Sequence, residues 1–238
     1  MRQELCFDSE LLSEAIAGQE ARLKDPASIL AERGRKFEPG DIWSRRLSDY
    51  LAILGSNVRP NFLEVAHRMP ANFTLVDAGC GTGLALAQMR PLFPNAHLIG
   101  IDIRNARDNR LDYGGLTPIR AGDLIDEQGV DFRRGSVLRV NEIVPEGYDI
   151  AISAGVYIDK GLFPAAEGLK LLYDGLKPGG QAFVNMRRTK GEIEQIGRCF
   201  DSIGAPFQFA KTDLEVLRKQ HLVYRYGVTG TVVLGPKP

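Results

Sequence analysis

The stretch TLVDAGCGTG, residues 74–83, is an apolar run that ends on an acid, Asp77, and continues into glycines at Gly79, Gly81 and Gly83. A strand entering a glycine-rich turn of this kind can serve three sorts of ligand. A phosphate-binding P-loop needs a Gly-Lys-Ser/Thr ending, and the loop holds no lysine. A dinucleotide fingerprint, Gly-x-Gly-x-x-Gly, needs a third glycine where this chain has Leu84. What remains is Asp77-x-Gly79-x-Gly81-x-Gly83. Closely spaced glycines let backbone lie flat against a ligand with its amides exposed, and an acid at the strand end holds positive charge. A glycine loop that does no more than turn the chain is the competing reading, and the loop alone does not decide between them.

Outward from the loop, the texture differs on its two sides. From Glu10 to about Pro70 the pattern is helical and amphipathic, in "LLSEAIAGQEARL", "IWSRRLSDYLAIL" and "PNFLEVAHRM", broken by the turn-rich "RGRKFEPGD". These apolar stripes need something to pack on, so residues 1–70 read as a helical extension and residues 71–238 as the main domain. After Ala71 short apolar strands alternate with helical segments, the signature of βαβ units and a mostly parallel sheet. "FTLVDAG" predicts a first strand, and "GLALAQMRPLF" the helix after it, ended by Pro91 and Pro94. "AHLIGIDI" predicts a second strand ending on Asp102. Thr117 and Pro118 suit the cap and first turn of a helix running to about Gln128, stopped by Gly129. "VDFRRGS" is a weak third strand and "YDIAISAG" a clear fourth. "FPAAEGLKLLYDGLKPGG" predicts a helix with a Pro-Gly-Gly exit into a fifth strand, "QAFVNMR". A further helix is expected near Gly191 to Phe200, then one or two late strands with a turn near Gly227 or Gly230.

Asp102 stands 25 residues beyond Asp77, at a strand end where a carboxylate can accept both hydroxyls of a ribose. With the acid and its alternating glycines, this resembles the class I S-adenosylmethionine-dependent methyltransferase family. "FRRGSV" resembles that family's adenine-contacting segment, with Ser136 where an aspartate is usual. "YDIAISAGVYIDKG" resembles its fourth-strand motif, and "LLYDGLKPGGQAFVN" its helix, turn and fifth strand, so that the likeness runs in order from about Ala71 to Met186. It implies a Rossmann-like α/β sheet of seven strands, mostly parallel with an antiparallel late strand, and S-adenosyl-L-methionine as cofactor. Asp77, Gly79, Cys80, Gly81, Thr82, Gly83, Asp102, Ile103, Ser136, Val137, Ser153 and Ala154 would then bind the cofactor. N-terminal helices in related enzymes often form a lid, which makes Trp43 a candidate wall of the acceptor pocket or a core anchor.

Methyl transfer from a sulfonium is a direct displacement that proximity and alignment serve, with a general base needed only for an acceptor that must lose a proton. Tyr157 and Asp159, with Lys160, lie just past the fourth strand and are the best-placed catalytic candidates. Arg187, followed by Arg188, ends the fifth strand and suits a clamp on an acidic acceptor, or else is a solvated arginine. His67, His97 and His221 read as ordinary histidines. Lysine plus arginine and aspartate plus glutamate stand at 30 each, with no basic run that would mark a nucleic-acid partner. The Asn-Pro-Pro-Tyr type motif is missing where the chain has "SAGV". The aspartates that hold magnesium in catechol-type enzymes are missing too, with Ser153 and Asn185 near those strand ends, so no metal is expected. The expected acceptor is a small molecule, with protein or RNA as alternatives, and a silent nucleoside-binding module or a nicotinamide oxidoreductase as readings from other classes. Cys6, Cys80 and Cys199 show no paired spacing, and no apolar run reaches the roughly 18 residues of a membrane span. A cytoplasmic monomer or homodimer is expected.

Overall fold

The computed structural model describes residues 6–24, 45–55, 57–102, 110–111, 119–120, 129–157, 164–213, 215–216 and 228–238. A strand covered on both faces reads as a continuous apolar run, and Thr74–Ala78 (β1) is buried at every position. It pairs in parallel with His97–Asp102 (β2) on one side and with Tyr148–Tyr157 (β6) on the other. Beyond β2 lies Asp131–Arg134 (β5), and beyond β6 lies Leu176–Arg188 (β7), both parallel to their neighbours. Val228–Leu234 (β9) joins β7 antiparallel, and Phe207–Lys211 (β8) closes that edge antiparallel to β9. The seven strands therefore run β5-β2-β1-β6-β7-β9-β8, with only β9 reversed.

The period of two divides β1 between two cores. Leu75 faces a cluster built with Leu47–Gly55 (α2), Phe62–Ala66 (α3) and Leu84–Met89 (α4), through Tyr50, Ile53, Leu54, Phe62, Leu86 and Met89. Val76 and Ala78 face the opposite cluster, filled from Val140–Ile143 (α5), Ala165–Asp174 (α6) and Lys190–Ser202 (α7) by Val140, Leu169, Leu172, Ile196 and Phe200. Asn61 and Glu64 form a capping box at α3, and Thr189 and Glu192 form another at α7. The N-terminal extension is divided across the sheet. α2 and α3 lie on the first face, whereas Ser9–Lys24 (α1) touches α6 and the turn Val137–Arg139.

Four expectations need correction. Ile119–Arg120 (β4) pairs antiparallel with Arg110–Leu111 (β3), so the helix expected from Thr117 does not begin there. A proline pushes the residue before it towards extended backbone and Ile119 is β-branched, so the pair that suits a helix start also suits a strand. β7 starts at Leu176 rather than after the Pro-Gly-Gly turn, with a register shift against β6 between Leu176 and Gln181. β8 was not expected. Gly230 is no turn: it sits in β9 opposite both Met186 and Lys211.

Candidate active site

Strand order reverses between β1 and β6, because β2 and β5 lie to one side of this pair and β7 to the other. Ligands of open α/β sheets lie outside the carboxyl ends at such a point. There the Ser153 hydroxyl, fully buried, donates to the Ala78 carbonyl at 2.7 Å and ties β6 to β1. Ala154 is buried beside it.

Asp77 shares the strand face of Leu75, towards α2, and is 0% exposed. The Tyr50 hydroxyl donates to its Oδ2 at 2.7 Å, while Oδ1 has no partner among the described residues. Burial, aided by the neighbouring Asp102 charge and opposed by the Tyr50 hydrogen bond, pushes the Asp77 carboxyl up to about 8. Tyr50 is held well above the ordinary tyrosine value, first by burial and then by the charge of Asp77. Arg45, just before α2, draws Tyr50 the other way, and its Nη1 is buried without a partner among the described residues.

The loop after β1 takes left-handed backbone at Gly79, Gly81 and Gly83, with φ of 88°, 58° and 73°. A side chain at any of the three would strain the turn. Four of its amides are turned inward, where the sequence reading has them exposed. Those of Gly79 and Cys80 donate to the Ile101 carbonyl at 2.7 and 3.1 Å, and that of Gly83 to Cys80 at 3.0 Å. The Gly81 amide donates to Asp102 Oδ2 at 3.0 Å, so the acid at the end of β2 holds the loop in place. Close approach of the loop also explains Gly100 in β2, since a Cβ there would stand 2.7 Å from Cys80 Sγ. Thr82 is buried, with Oγ1 unpartnered among the described residues. Leu84, where a dinucleotide loop needs glycine, is buried as the first residue of α4.

One strand further out, Gly135 donates to the Asp102 carbonyl at 2.9 Å, which sets Ser136 and the buried Val137 beside Asp102. Ser136 Oγ accepts from the Leu138 amide at 3.1 Å and donates to Gln19 Oε1 of α1.

Asp77, Asp102, Ser136 and Ser153 thus meet at the carboxyl ends of four adjacent strand segments. Trp43, Ile103, Asp159, Lys160 and His221 lie outside the described residues. Tyr157 ends β6 opposite Met186, and Arg187 is half-buried near the end of β7 opposite Thr229. His67 is exposed with its ring on Phe93, and exposed His97 pairs with Asp131 at the far end of β2. Sequence reasoning missed Tyr50, Gln19 and Arg45. Only Tyr50 carried a signal, as a hydroxyl on the apolar stripe it forms with Ile53 and Leu54. A cavity of about 170 Å³, lined in part by Arg59, Gln181 and Phe207, touches none of these site residues. Among the described residues no three His, Cys, Asp or Glu gather as a metal site, and no helix is long and apolar enough to cross a membrane.

No family model matches this sequence, and no curated protein matches it. Solved structures do. A structure of the plantazolicin methyltransferase BamL with a triazolic desmethylPZN analog and SAH is similar over 96% of this chain and 97% of that one, at 14% identity and a TM-score of 0.53. A methyltransferase from Pyrococcus furiosus is similar over 92% and 96%, at 14% identity and a TM-score of 0.50. The fold is that of the Rossmann-like methyltransferases. Within this methyltransferase fold, the glycine loop and both acids occupy the end of the sheet at which order reverses.

Proposed function

We propose that the chain is a methyltransferase that uses S-adenosyl-L-methionine and acts on a small-molecule acceptor. The observation that carries the proposal is the buried pair Asp77 and Asp102 at the ends of neighbouring strands, one with an unpartnered oxygen, on a loop without a phosphate-binding lysine. A ligand with a cationic amino group and a ribose satisfies both acids, whereas a pyrophosphate finds two acids and no lysine to hold it. Arg45 Nη1 offers a donor for the carboxylate of the same amino acid. The likeness to a methyltransferase solved with SAH agrees with this choice of ligand. Leu84 speaks against a nicotinamide dinucleotide.

The cofactor supplies an activated methyl group: the acceptor's lone pair forms the new bond to carbon, and the sulfur keeps the electron pair of the old one. In this reading Asp77 orients the amino-acid end of the cofactor and Asp102 the ribose. Ser136, Val137 and Ser153 shape the floor, and Ile103, Thr82 and Ala154 line it. Tyr157 and Asp159 face the acceptor, of which one takes up a proton if the acceptor carries it, and Trp43 and Arg187 complete that pocket. The even charge balance supports a small molecule over RNA. Residues 1–70 would serve as a lid, and a cytoplasmic protein fits this reading.

Calorimetry with S-adenosylmethionine, SAH and NAD tests the ligand. Binding of the first two and not of NAD is expected, and the reverse would sink the proposal. Incubation of the protein and a metabolite extract with a methyl-labelled donor tests transfer; label in the small-molecule fraction is expected. No label there, with label in RNA or protein when those are supplied instead, would replace the acceptor class, and none anywhere would favour a silent binding module.

A further inference from the structure

The tetrapeptide Cys-Phe-Asp-Ser occurs twice, at residues 6–9 and 199–202. The first copy leads into α1 and the second closes α7, and the fold sets one against the other. Phe7 packs edge-on against Phe200 with ring centroids 5.8 Å apart, and Lys170 Nζ lies 5.7 Å over the same Phe7 ring. Asp8 caps α1 by accepting from the Glu10 and Leu11 amides at 2.9 and 3.1 Å, while its own amide donates to buried Glu167 at 2.9 Å. In the second copy the Ser202 hydroxyl donates to the Cys199 carbonyl at 2.7 Å and fixes the last turn of α7. Phe7 and Asp8 are thus fastened to both α6 and α7.

Beside them the Cys6 and Cys199 thiols are hydrogen-bonded to each other, and neither is in a disulfide. A disulfide needs Cβ atoms about 4 Å apart, so a pair whose thiols already touch is close to that geometry. The two differ in access, since Cys6 is half-buried whereas Cys199 is 3% exposed. Burial, then the hydrogen bond and charge of Cys6, holds the Cys199 thiol above its ordinary range, so it stays protonated and an oxidant meets Cys6 first. An accessible sulfur with a second thiol against it is the arrangement of a redox pair, because the second captures the sulfenic acid before it is oxidised further.

We infer that Cys6 and Cys199 form a reversible disulfide that latches the start of the N-terminal extension to α7. Hydrogen peroxide serves as the oxidant. The Cys6 sulfur attacks one peroxide oxygen, the O–O bond breaks, and a sulfenic acid and water result. The Cys199 sulfur then bonds to the Cys6 sulfur, the S–O bond breaks, and the hydroxyl leaves with the thiol proton as a second water. Two thiols are oxidised as one peroxide is reduced, and a dithiol reductant reverses the change. The far end of α1 lies at the candidate site, where Gln19 meets Ser136 and Glu20 meets Arg139, so the latch restrains a helix that touches that site. It does not depend on which cofactor the site takes.

The test compares the intact chain before and after a stoichiometric amount of hydrogen peroxide, so no variant has to fold. Of the three thiols only that of Cys80, which lies in the core on the other face of the sheet, should remain titratable after unfolding. Trypsin should then release residues 3–22 and 199–211 as one linked species that dithiothreitol separates. A link through Cys80, a link between two chains, or oxidised Cys6 with no link would overturn the inference. In the oxidised chain the α1 amides should exchange hydrogen about fivefold or more slowly and recover on reduction. An unchanged rate would show that the bond does not latch the helix.

Discussion

Asp77 is wholly inside the protein, with one oxygen on the Tyr50 hydroxyl and the other without a partner among the described residues. Its carboxyl, ordinarily near 3.8, stands at about 8 because burial disfavours the charge. The folded chain therefore binds this proton more tightly than the unfolded one. Its contribution to stability is full below about pH 4, falls as pH rises, and is lost above about pH 8. Asp77→Asn should flatten the decline across that window and melt above the parent at pH 8–9; parallel slopes of Tm against pH would refute this. If Asp77 holds the cofactor's amino group, binding must expel most of one proton at pH 7. Calorimetry in buffers of differing ionisation enthalpy should detect that release, and affinity should rise with pH up to about 8. Tyr50→Phe leaves both oxygens unpaired, at a cost of about 1–3 kcal/mol in unfolding experiments, and should move the binding profile to higher pH. Asp77 and Asp102 were legible from their spacing beyond apolar runs. Tyr50 was overlooked because its stripe reads as core, although a buried hydroxyl demands a partner.

The loop, β2 and α4 form one packed unit. Gly100 leaves room for Cys80, whose Sγ would be 2.7 Å from an added Cβ, with Leu86 Cδ1 at 3.1 Å. Gly100→Ala should then cost about 1–3 kcal/mol in denaturant unfolding. Cys80→Ala in the same chain should recover part of this, since it removes the nearer atom; strictly additive losses would argue against the clash. β1, β2, β6, α6 and α7 could be read from apolar runs and helical periodicity, because their neighbours reinforce the local preference. The helix expected from Thr117 failed at Ile119–Arg120, where pairing with Arg110–Leu111 decides. β8 was legible in principle, with Phe207 and Phe209 on one face and Gln208 between them, yet a strand of five residues at an edge gives a short signal. The open amides expected at Gly79 and Cys80 failed for another reason: their partner, the Ile101 carbonyl, comes from a different strand.

The extension reaches the site from two sides of the sheet, α2 through Tyr50 and α1 through Gln19. α1 is tied to the body in part through the residues just before it, where Phe7 packs edge-on against Phe200 at 5.8 Å. Its amides should exchange hydrogen before those of β1 and β2, and addition of SAH should slow α1 and α2 together. Protection confined to the glycine loop would show that the extension takes no part in binding. That the extension is helical was plain from periodicity, but its division between two faces was not, since contacts such as Gln19 with Ser136 span 117 positions of sequence. The reversed strand carries one more consequence. Among the described residues β8 has β9 as its sole neighbour in the sheet, and residues 212–227 separate the two. As the chain leaves the ribosome, β8 emerges before the strand that must slide in between it and β7. Until then Phe207–Lys211 lacks the strand it pairs with in the finished sheet, and the nascent domain carries an unfinished edge that a chaperone or a second nascent chain can meet first.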